Sequence, residues 1–280
     1  MKRIQTIKEV KNEMCRYRSE GQVIGFVPTM GYLHEGHLSL VRESIKQTDR
    51  TAVSVYVNPK QFGPDEDYLQ YPRDIDRDAD VLEKEGVDVL FTCQDREMYP
   101  KGYKTYVEVQ DYQDVLCGAS RPGHFRGVCT VVLKLFQIIK PDIAFFGQKD
   151  AQQAVILKKM VKDLNAEVKI SVHPIVREKD GLALSSRNAL LRPRQRKAAL
   201  CLYQSLQIAK QAILKGQTDS LKIIHLMKER INKEKQAQWD YVEIVDKNNL
   251  ESLSKVIKGE TLIALAVYIG QVRLIDNIII

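Results

Sequence analysis

The sequence predicts an α/β protein: an open parallel sheet with helices on both faces, followed by a smaller α+β C-terminal domain. Two observations carry this. Between residues 23 and 172 short apolar runs alternate with stretches of helical period, and strands separated by helices pair in parallel through right-handed crossovers. After Pro174 the alternation stops, and two helical stretches are followed by three strand-like runs. The length of 280 residues suits one large or two modest domains at roughly 100 to 200 residues each. A boundary near Val176 divides the chain into 1–175 and 176–280.

Taken in order, Val23 to Val27 is an apolar run closed by Pro28. A Gly-bearing turn then leads to a helical pattern from about His37 to Lys46, with Leu38, Val41 and Ile45 on one face. Ala52 to Val57 is a second run, ended by Asn58-Pro59, and a charged helical stretch from Asp74 to Glu85 leads to a third at Val87 to Phe91. Val128 to Ile139 reads as a helix, Ile143 to Phe146 as a strand, Ala151 to Leu164 as a helix and Val168 to Val172 as a strand. Beyond the boundary, Pro193 to Leu214 and Ser220 to Lys233 carry helical period, while Tyr241 to Val245, Leu262 to Val267 and Val272 to Ile279 read as strands. Pro59 to Arg73 reads as the longest segment without structure, and long loops in compact domains are often functional.

Composition excludes several classes. With 44% hydrophobic and 28% charged residues the profile is that of a globular protein, not a disordered or fibrous chain. The longest apolar run, Leu262 to Ile269, is far short of the roughly 20 residues that cross a bilayer. MKRIQTIKEVKNEM has early positive charge but no apolar stretch behind it, unlike a secretory signal, so a cytoplasmic protein is expected. Cys15, Cys93, Cys117, Cys129 and Cys201 are scattered without a C-x-x-C pair, which argues for reduced, structural thiols and against a zinc site. The net charge is +7, and from Val176 onward there are 18 Lys and Arg against 11 Asp and Glu, so the surplus lies entirely in that part. A basic region suits nucleic acid, an anionic ligand or a solvated surface, and charge alone does not choose.

Chemistry-bearing residues cluster where strands end. PTMGYLHEGH (Pro28 to His37) lies between the first strand and the first helix. Ligands of open parallel sheets bind outside the carboxyl ends of strands, and free N–H groups at a helix start suit phosphate. His34 and His37, three residues apart across a glycine, fit a phosphate chain, a metal or an ordinary loop, and spacing leaves all three open. Gly147-Gln148-Lys149-Asp150 again follows a strand and opens a helix, with Gln153 one turn from Lys149 on the same face. Alone it reads equally as a solvated helix start with Asp150 as N-cap. Leu184-Ser185-Ser186-Arg187 offers hydroxyls beside a guanidinium, a phosphate-binding combination or a polar turn. Asn58 to Gly63 and Ser120 to Phe125 are weaker candidates, and Cys117, near the latter, reads as structural.

Together these blocks resemble the pantothenate synthetase family of ATP-dependent ligases. The resemblance runs through PTMGYLHEGH, VNPKQFGPDEDYLQYPRD, SRPGHFRGV, KLFQIIKPDIAFFGQKDAQQ and REKDGLALSSRN, with RLIDN (Arg273 to Asn277) near the C-terminus. HEGH also resembles the H-x-G-H signature of nucleotidyltransferases and class I aminoacyl-tRNA synthetases. The resemblance implies a Rossmann-like nucleotide-binding domain with a C-terminal lid, joining pantoate to β-alanine through a pantoyl adenylate with release of AMP and pyrophosphate. Carried over residue by residue, it implies ATP contacts at Met30, Gly31, Tyr32, Leu33, His34, Glu35, Gly36 and His37, at Gly147, Gln148, Lys149 and Asp150, at Val176, and at Leu184, Ser185, Ser186 and Arg187. His37, as proton donor, His34, Lys149, Ser185, Ser186 and Arg187 are implied as catalytic, and Gln61 and Gln153 as pantoate ligands. Mg²⁺ accompanies ATP, with Asp150 only a candidate neighbour. A homodimer acting on small molecules, with neither nucleic acid nor membrane as partner, is implied as well. The rival readings are an RNA-binding synthetase fragment and a nucleotidyltransferase acting on a phosphate acceptor. The chain has no anticodon-type domain, and the glutamines with SSRN favour the ligase.

Overall fold

The computed structural model describes residues 1–64 and 66–280. The chain begins with β1 (Lys2–Ile4) and α1 (Ile7–Ser19), neither expected from the sequence. Thr6 caps α1 by accepting the Glu9 N–H, and Val10, Met14 and Tyr17, at helical spacing, bury one face of it. There follow β2 (Ile24–Thr29), α2 (Glu35–Gln47), β3 (Arg50–Val55), α3 (Ile75–Glu85), β4 (Val89–Phe91), the short α4 (Asp95–Met98) and α5 (Cys117–Ser120), α6 (His124–Ile139), β5 (Ile143–Gly147), α7 (Ala151–Asp163) and β6 (Lys169–His173).

These strands form one six-stranded sheet in the order β1-β4-β3-β2-β5-β6, parallel throughout. Chain order runs outward in one direction from β2 through β3 to β4 and in the other from β5 to β6. The reversal falls between β2 and β5, where the strand ends diverge and leave a crevice.

The four central strands, β2 to β5, are buried on both sides, as expected for parallel pairing. Phe26, Phe91 and Phe146 face a core closed by α1, α6 and α7, with Met14, Val128 and Leu157 among its members. Their strand neighbours Val27, Leu90 and Phe145 face the opposite core, closed by Leu40 and Val41 of α2 and Ala79 and Leu82 of α3. Truncating Phe26, fully buried, to alanine would cost about 3–5 kcal/mol. At Gly25 a Cβ would lie 2.2 Å from Ser44 Oγ, so β2 accepts α2 at that distance only through a glycine.

The C-terminal part holds α8 (Pro193–Ala198), α9 (Leu200–Leu214), α10 (Ser220–Asn232), β7 (Ala237–Asp246), β8 (Thr261–Ile269) and β9 (Val272–Ile279). The three strands form an antiparallel sheet ordered β7-β8-β9. Leu202 and Leu206 of α9 and Ile223 and Met227 of α10 pack on its Ile263, Leu265 and Val267. A second seam, Leu116 with Val245, Leu250, Leu262 and Ala264, joins this sheet to the first part of the chain.

Two expectations are corrected. The helix expected over Pro193 to Leu214 is two helices, interrupted at Ala199. Among the described residues the longest stretch without regular structure is Tyr99 to Leu116, between α4 and α5, not Pro59 to Arg73. The latter segment opens with a 3-10 turn, Pro59–Gln61, capped by Asn58; Asp65 within it lies outside the described residues.

Candidate active site

Two loops leave the sheet at the crevice, one after β2 and one after β5. In the first, Gly31 has φ 83° and Tyr32 φ 51°, a left-handed pair that points successive N–H groups the same way. A Cβ on Gly31 would meet Val55 Cγ1 at 2.8 Å and Asp78 Oδ2 at 2.9 Å. Into this concavity α3 inserts Asp78, whose carboxylate accepts the N–H of Tyr32 at 2.7 Å and of Leu33 at 2.8 Å. Such a nest of backbone donors is an anion site, filled here by the protein's own carboxylate. Burial pushes the Asp78 carboxyl up, against the pull of those two donors.

The turn delivers His34 to the N-cap of α2. His34 Nδ1 accepts the Gly36 N–H at 3.1 Å, and His37 Nδ1 accepts the His34 N–H at 3.3 Å. Both rings thus receive a hydrogen bond at Nδ1, which assigns each neutral imidazole its proton at Nε2. The ring centroids are 4.0 Å apart. Burial lowers the pKa of His34 to about 4, and the Lys149 charge adds to the effect. Burial also holds His37 well below its ordinary value, aided by His34 and Lys149. Before substrate arrives both are therefore neutral N–H donors, which bears on the expectation of His37 as a proton donor. Glu35, beside them, points to solvent and pairs with Arg42 at 2.8 Å, which leaves this position only its backbone to offer.

After β5 the chain makes a 3-10 turn, Gln148–Asp150, before α7. Asp150 stands at the N-cap position of α7 but makes no capping bond, so the capping explanation for this residue is removed. Its carboxylate is 3.9 Å from Lys149 Nζ. Gln153 lines the same cavity as Lys149 and Asp150.

The third loop comes from the C-terminal part. Leu184 N donates to the Val176 carbonyl at 3.0 Å, and a Cβ on Gly36 would touch Leu184 Cβ at 3.8 Å. Ser185 caps the 3-10 turn Ser186–Leu190. Ser186 Oγ donates to the Tyr32 carbonyl at 3.2 Å, so the first and third loops touch. Arg187 donates through Nε and Nη2 to both oxygens of Asp67 at 2.7 and 2.8 Å.

The second and third loops line a cavity of about 1150 Å³ whose wall includes Lys149, Asp150, Gln153, Ser185 and Arg187. Met30, His34, His37 and Gln61 are not part of that wall and adjoin it through neighbours. Gln61 Nε2 donates to Met30 Sδ at 3.1 Å, its Oε1 accepts from Asn58 at 3.1 Å, and its carbonyl accepts from His124 Nδ1, a wall residue, at 2.7 Å. His124 Nε2 then takes the Arg121 donor at 3.1 Å, so the ring is fixed neutral. Burial lowers its pKa to about 3, with Arg121 adding to the effect. Cys117, also in the wall, hydrogen-bonds Tyr241 Oη at 3.2 Å.

Sequence reasoning missed Asp78, Asp67 and the role of Asn58. Asn58 was visible as a strand-end residue but not as the fully buried anchor that holds Gln61 and the Gly127 carbonyl.

Fold and site together define a nucleotide-binding enzyme of the open α/β class, with the loop after β5 and the loop around Ser185 lining a cleft that the loop after β2 adjoins. A profile of the pantoate-β-alanine ligase family matches residues 2–279, and the chain belongs to that family. A pantothenate synthetase of Caldicellulosiruptor bescii is 56% identical over 277 residues, 99% of this chain and 98% of its own; one of Thermotoga neapolitana is 53% identical over 280 residues, the whole of both chains. Among solved structures, a pantothenate synthetase from Thermus thermophilus superposes with TM-score 0.95 at 42% identity over 99% of each chain. A pantoate-β-alanine ligase from Francisella tularensis, described as complexed with β-γ ATP and β-alanine, gives TM-score 0.81 at 36% identity over 100% of this chain and 97% of its own. The activity is the ligation of pantoate to β-alanine, with ATP as co-substrate.

Proposed function

We propose that the ligation of pantoate to β-alanine runs in two steps on these loops. The pantoate carboxylate attacks the α-phosphorus of ATP and pyrophosphate leaves; the β-alanine amine then attacks the acyl carbon of pantoyl adenylate and AMP leaves. No enzyme nucleophile is needed. The observation that carries this reading is the pair of imidazoles at the start of α2, each with its Nε2–H without a partner among the described residues and both close enough to Lys149 for its charge to depress them. Donors fixed in place before charge develops on a phosphoryl group stabilise it without reorganisation, and a neutral N–H retains this capacity when burial has excluded the cation.

Lys149, Ser185, Ser186 and Arg187 complete the phosphate site in this reading, with the Met30–His37 turn, Gly147–Asp150, Val176 and Leu184 around the nucleotide. Gln61 and Gln153 take pantoate, since an amide offers both donor and acceptor to hydroxyls and a carboxylate. Gln61 has its Oε1 engaged by Asn58 and its Nε2 donating to Met30 Sδ, so the second N–H of its amide is the donor it presents.

Among the described residues no group of three His, Cys, Asp or Glu is arranged to hold a metal. Asp150, with a half-exposed carboxylate beside Lys149, fits a Mg²⁺ that arrives on the triphosphate and keeps most of its waters. Bound there, the ion neutralises phosphate charge.

The division into 1–175 and 176–280, with the second part closing over the nucleotide as a lid, belongs to the same proposal, as do a homodimeric state and a cytoplasmic location. No helix among the described residues is long and apolar enough to cross a membrane. Purified protein given ATP, Mg²⁺, pantoate and β-alanine should release AMP, pyrophosphate and pantothenate in equal amounts; AMP formation indifferent to pantoate would defeat the proposal.

A further inference from the structure

The C-terminal RLIDN motif has no part in the chemistry above, yet β9 carries it into the nucleotide loop. Alternate side chains of a strand face opposite ways. On one face Leu274 and Ile278 join the core of α9 and α10, and Asp276 takes both nitrogens of Arg177 at 2.6 and 2.9 Å. On the other face Arg273 pairs with Asp240 at 2.7 Å, Ile275 packs against the core of the parallel sheet, and Asn277 reaches the turn after β5.

Asn277 is 3% exposed. Its Nδ2 donates to the carbonyls of Gln148 at 2.9 Å and Lys149 at 3.0 Å, and its Oδ1 accepts from Gln148 Nε2 at 3.2 Å. Neither the Gln148–Asp150 turn nor α7 behind it has a side-chain cap of its own. An amide is the side chain that supplies two donors and an acceptor in one plane; aspartate would set a carboxylate against two carbonyl oxygens.

We propose that Asn277 is the positioning residue of the nucleotide turn: from the last strand it fixes the Gln148–Lys149 backbone and so aims Lys149 at the phosphates. The inference rests on the reading of Lys149 as a phosphate ligand. The contact also ties the C-terminal part to the turn.

The test compares full-length N277A with I263A, which weakens the same small sheet from a buried position in β8 without touching the turn. Steady-state pantothenate synthesis should show the KM for ATP raised about ten-fold or more in N277A, the scale on which small misplacement acts, with the pantoate KM unchanged within about two-fold. In I263A both KM values should stay at wild type. Should N277A fail to fold, N277D, which keeps the volume and the acceptor for Gln148, is read in the same way. A folded variant with wild-type KM for ATP, or equal rises for ATP and pantoate in N277A and I263A alike, would overturn the inference. A wild-type protein that makes no pantothenate would instead remove the functional reading on which it rests.

Discussion

Arg187 and Asp67 form a two-bond ion pair that joins the C-terminal 3-10 turn to the segment after β3, with each side chain about three-quarters buried. Burial alone would push the Asp67 carboxyl up, yet the Arg187 guanidinium outweighs it and holds the group below its usual value. Arg187 thus has its charge matched before any substrate arrives, and a triphosphate that uses Arg187 must displace a carboxylate.

D67N should therefore raise nucleotide affinity, lowering the Kd of a non-hydrolysable ATP analogue by about three- to ten-fold, a modest share of what a charge-assisted pair is worth. Calorimetric titration of both proteins checks this; an unchanged or weaker Kd in D67N counts against the exchange of partners.

R187A should release AMP without matching pantothenate. If Arg187 helps the third loop cover the mixed anhydride, its loss admits water to a hydrolysable intermediate. Quantifying both products over one time course distinguishes this from simple loss of ATP binding, which would lower both equally.

D78N should slow adenylate formation while the sheet remains folded. The Asp78 carboxylate accepts two backbone N–H groups of the turn that sets His34; an amide can face at most one of them with its oxygen and turns a donor toward the other. The cost is about 1–3 kcal/mol for an unsatisfied buried donor. The nitrogen spectrum of the histidine rings should lose the defined Nε2–H tautomer, and a wild-type ring spectrum together with a wild-type rate would exclude the role.

Stability should fall with acid in a particular window. His34, His37 and His124 all have folded pKa values depressed by burial, to about 4 for His34 and about 3 for His124. Below the unfolded value of 6.5 the unfolded chain takes up protons that the folded chain refuses. Stability from these groups is therefore complete above about pH 6.5 and is lost as the pH falls toward 4. Partial exposure reduces the effect to on the order of 2 kcal/mol between pH 7 and 5. Urea midpoints across that range should drop in the wild type and drop less in H124Q; parallel curves would assign acid lability elsewhere.

Much of this loop arrangement is legible in the sequence because the residues proposed as ligands lie next to strand ends. An apolar run, a glycine turn and a polar helix start are local signals, and they mark the β2 and β5 loops in the sequence itself. What stayed hidden acts across distance. Tyr32 and Asp78 are 46 residues apart, and Asn277 and Gln148 are 129 apart, so no window of sequence contains both partners. Asp78 sits among Asp74, Asp76 and Asp80 and looks like one more solvated acid. Only its place beside Ala79 and one turn before Leu82, both buried, sets it on the inner face of α3. The break at Ala199 carries no Gly or Pro to announce it. The Val10, Met14 and Tyr17 spacing of α1 was present but masked by a run of charged residues.

The two-step route is tested most directly by exchange of labelled pyrophosphate into ATP with pantoate present and β-alanine absent. Because the adenylate forms before the amine is needed, exchange should proceed at a rate comparable to turnover. H37A should lower it by about 10² or more, the scale of a lost donor to developing charge. Exchange that strictly requires β-alanine, or that runs at the wild-type rate in folded H37A, would contradict the adenylate chemistry assigned to these loops.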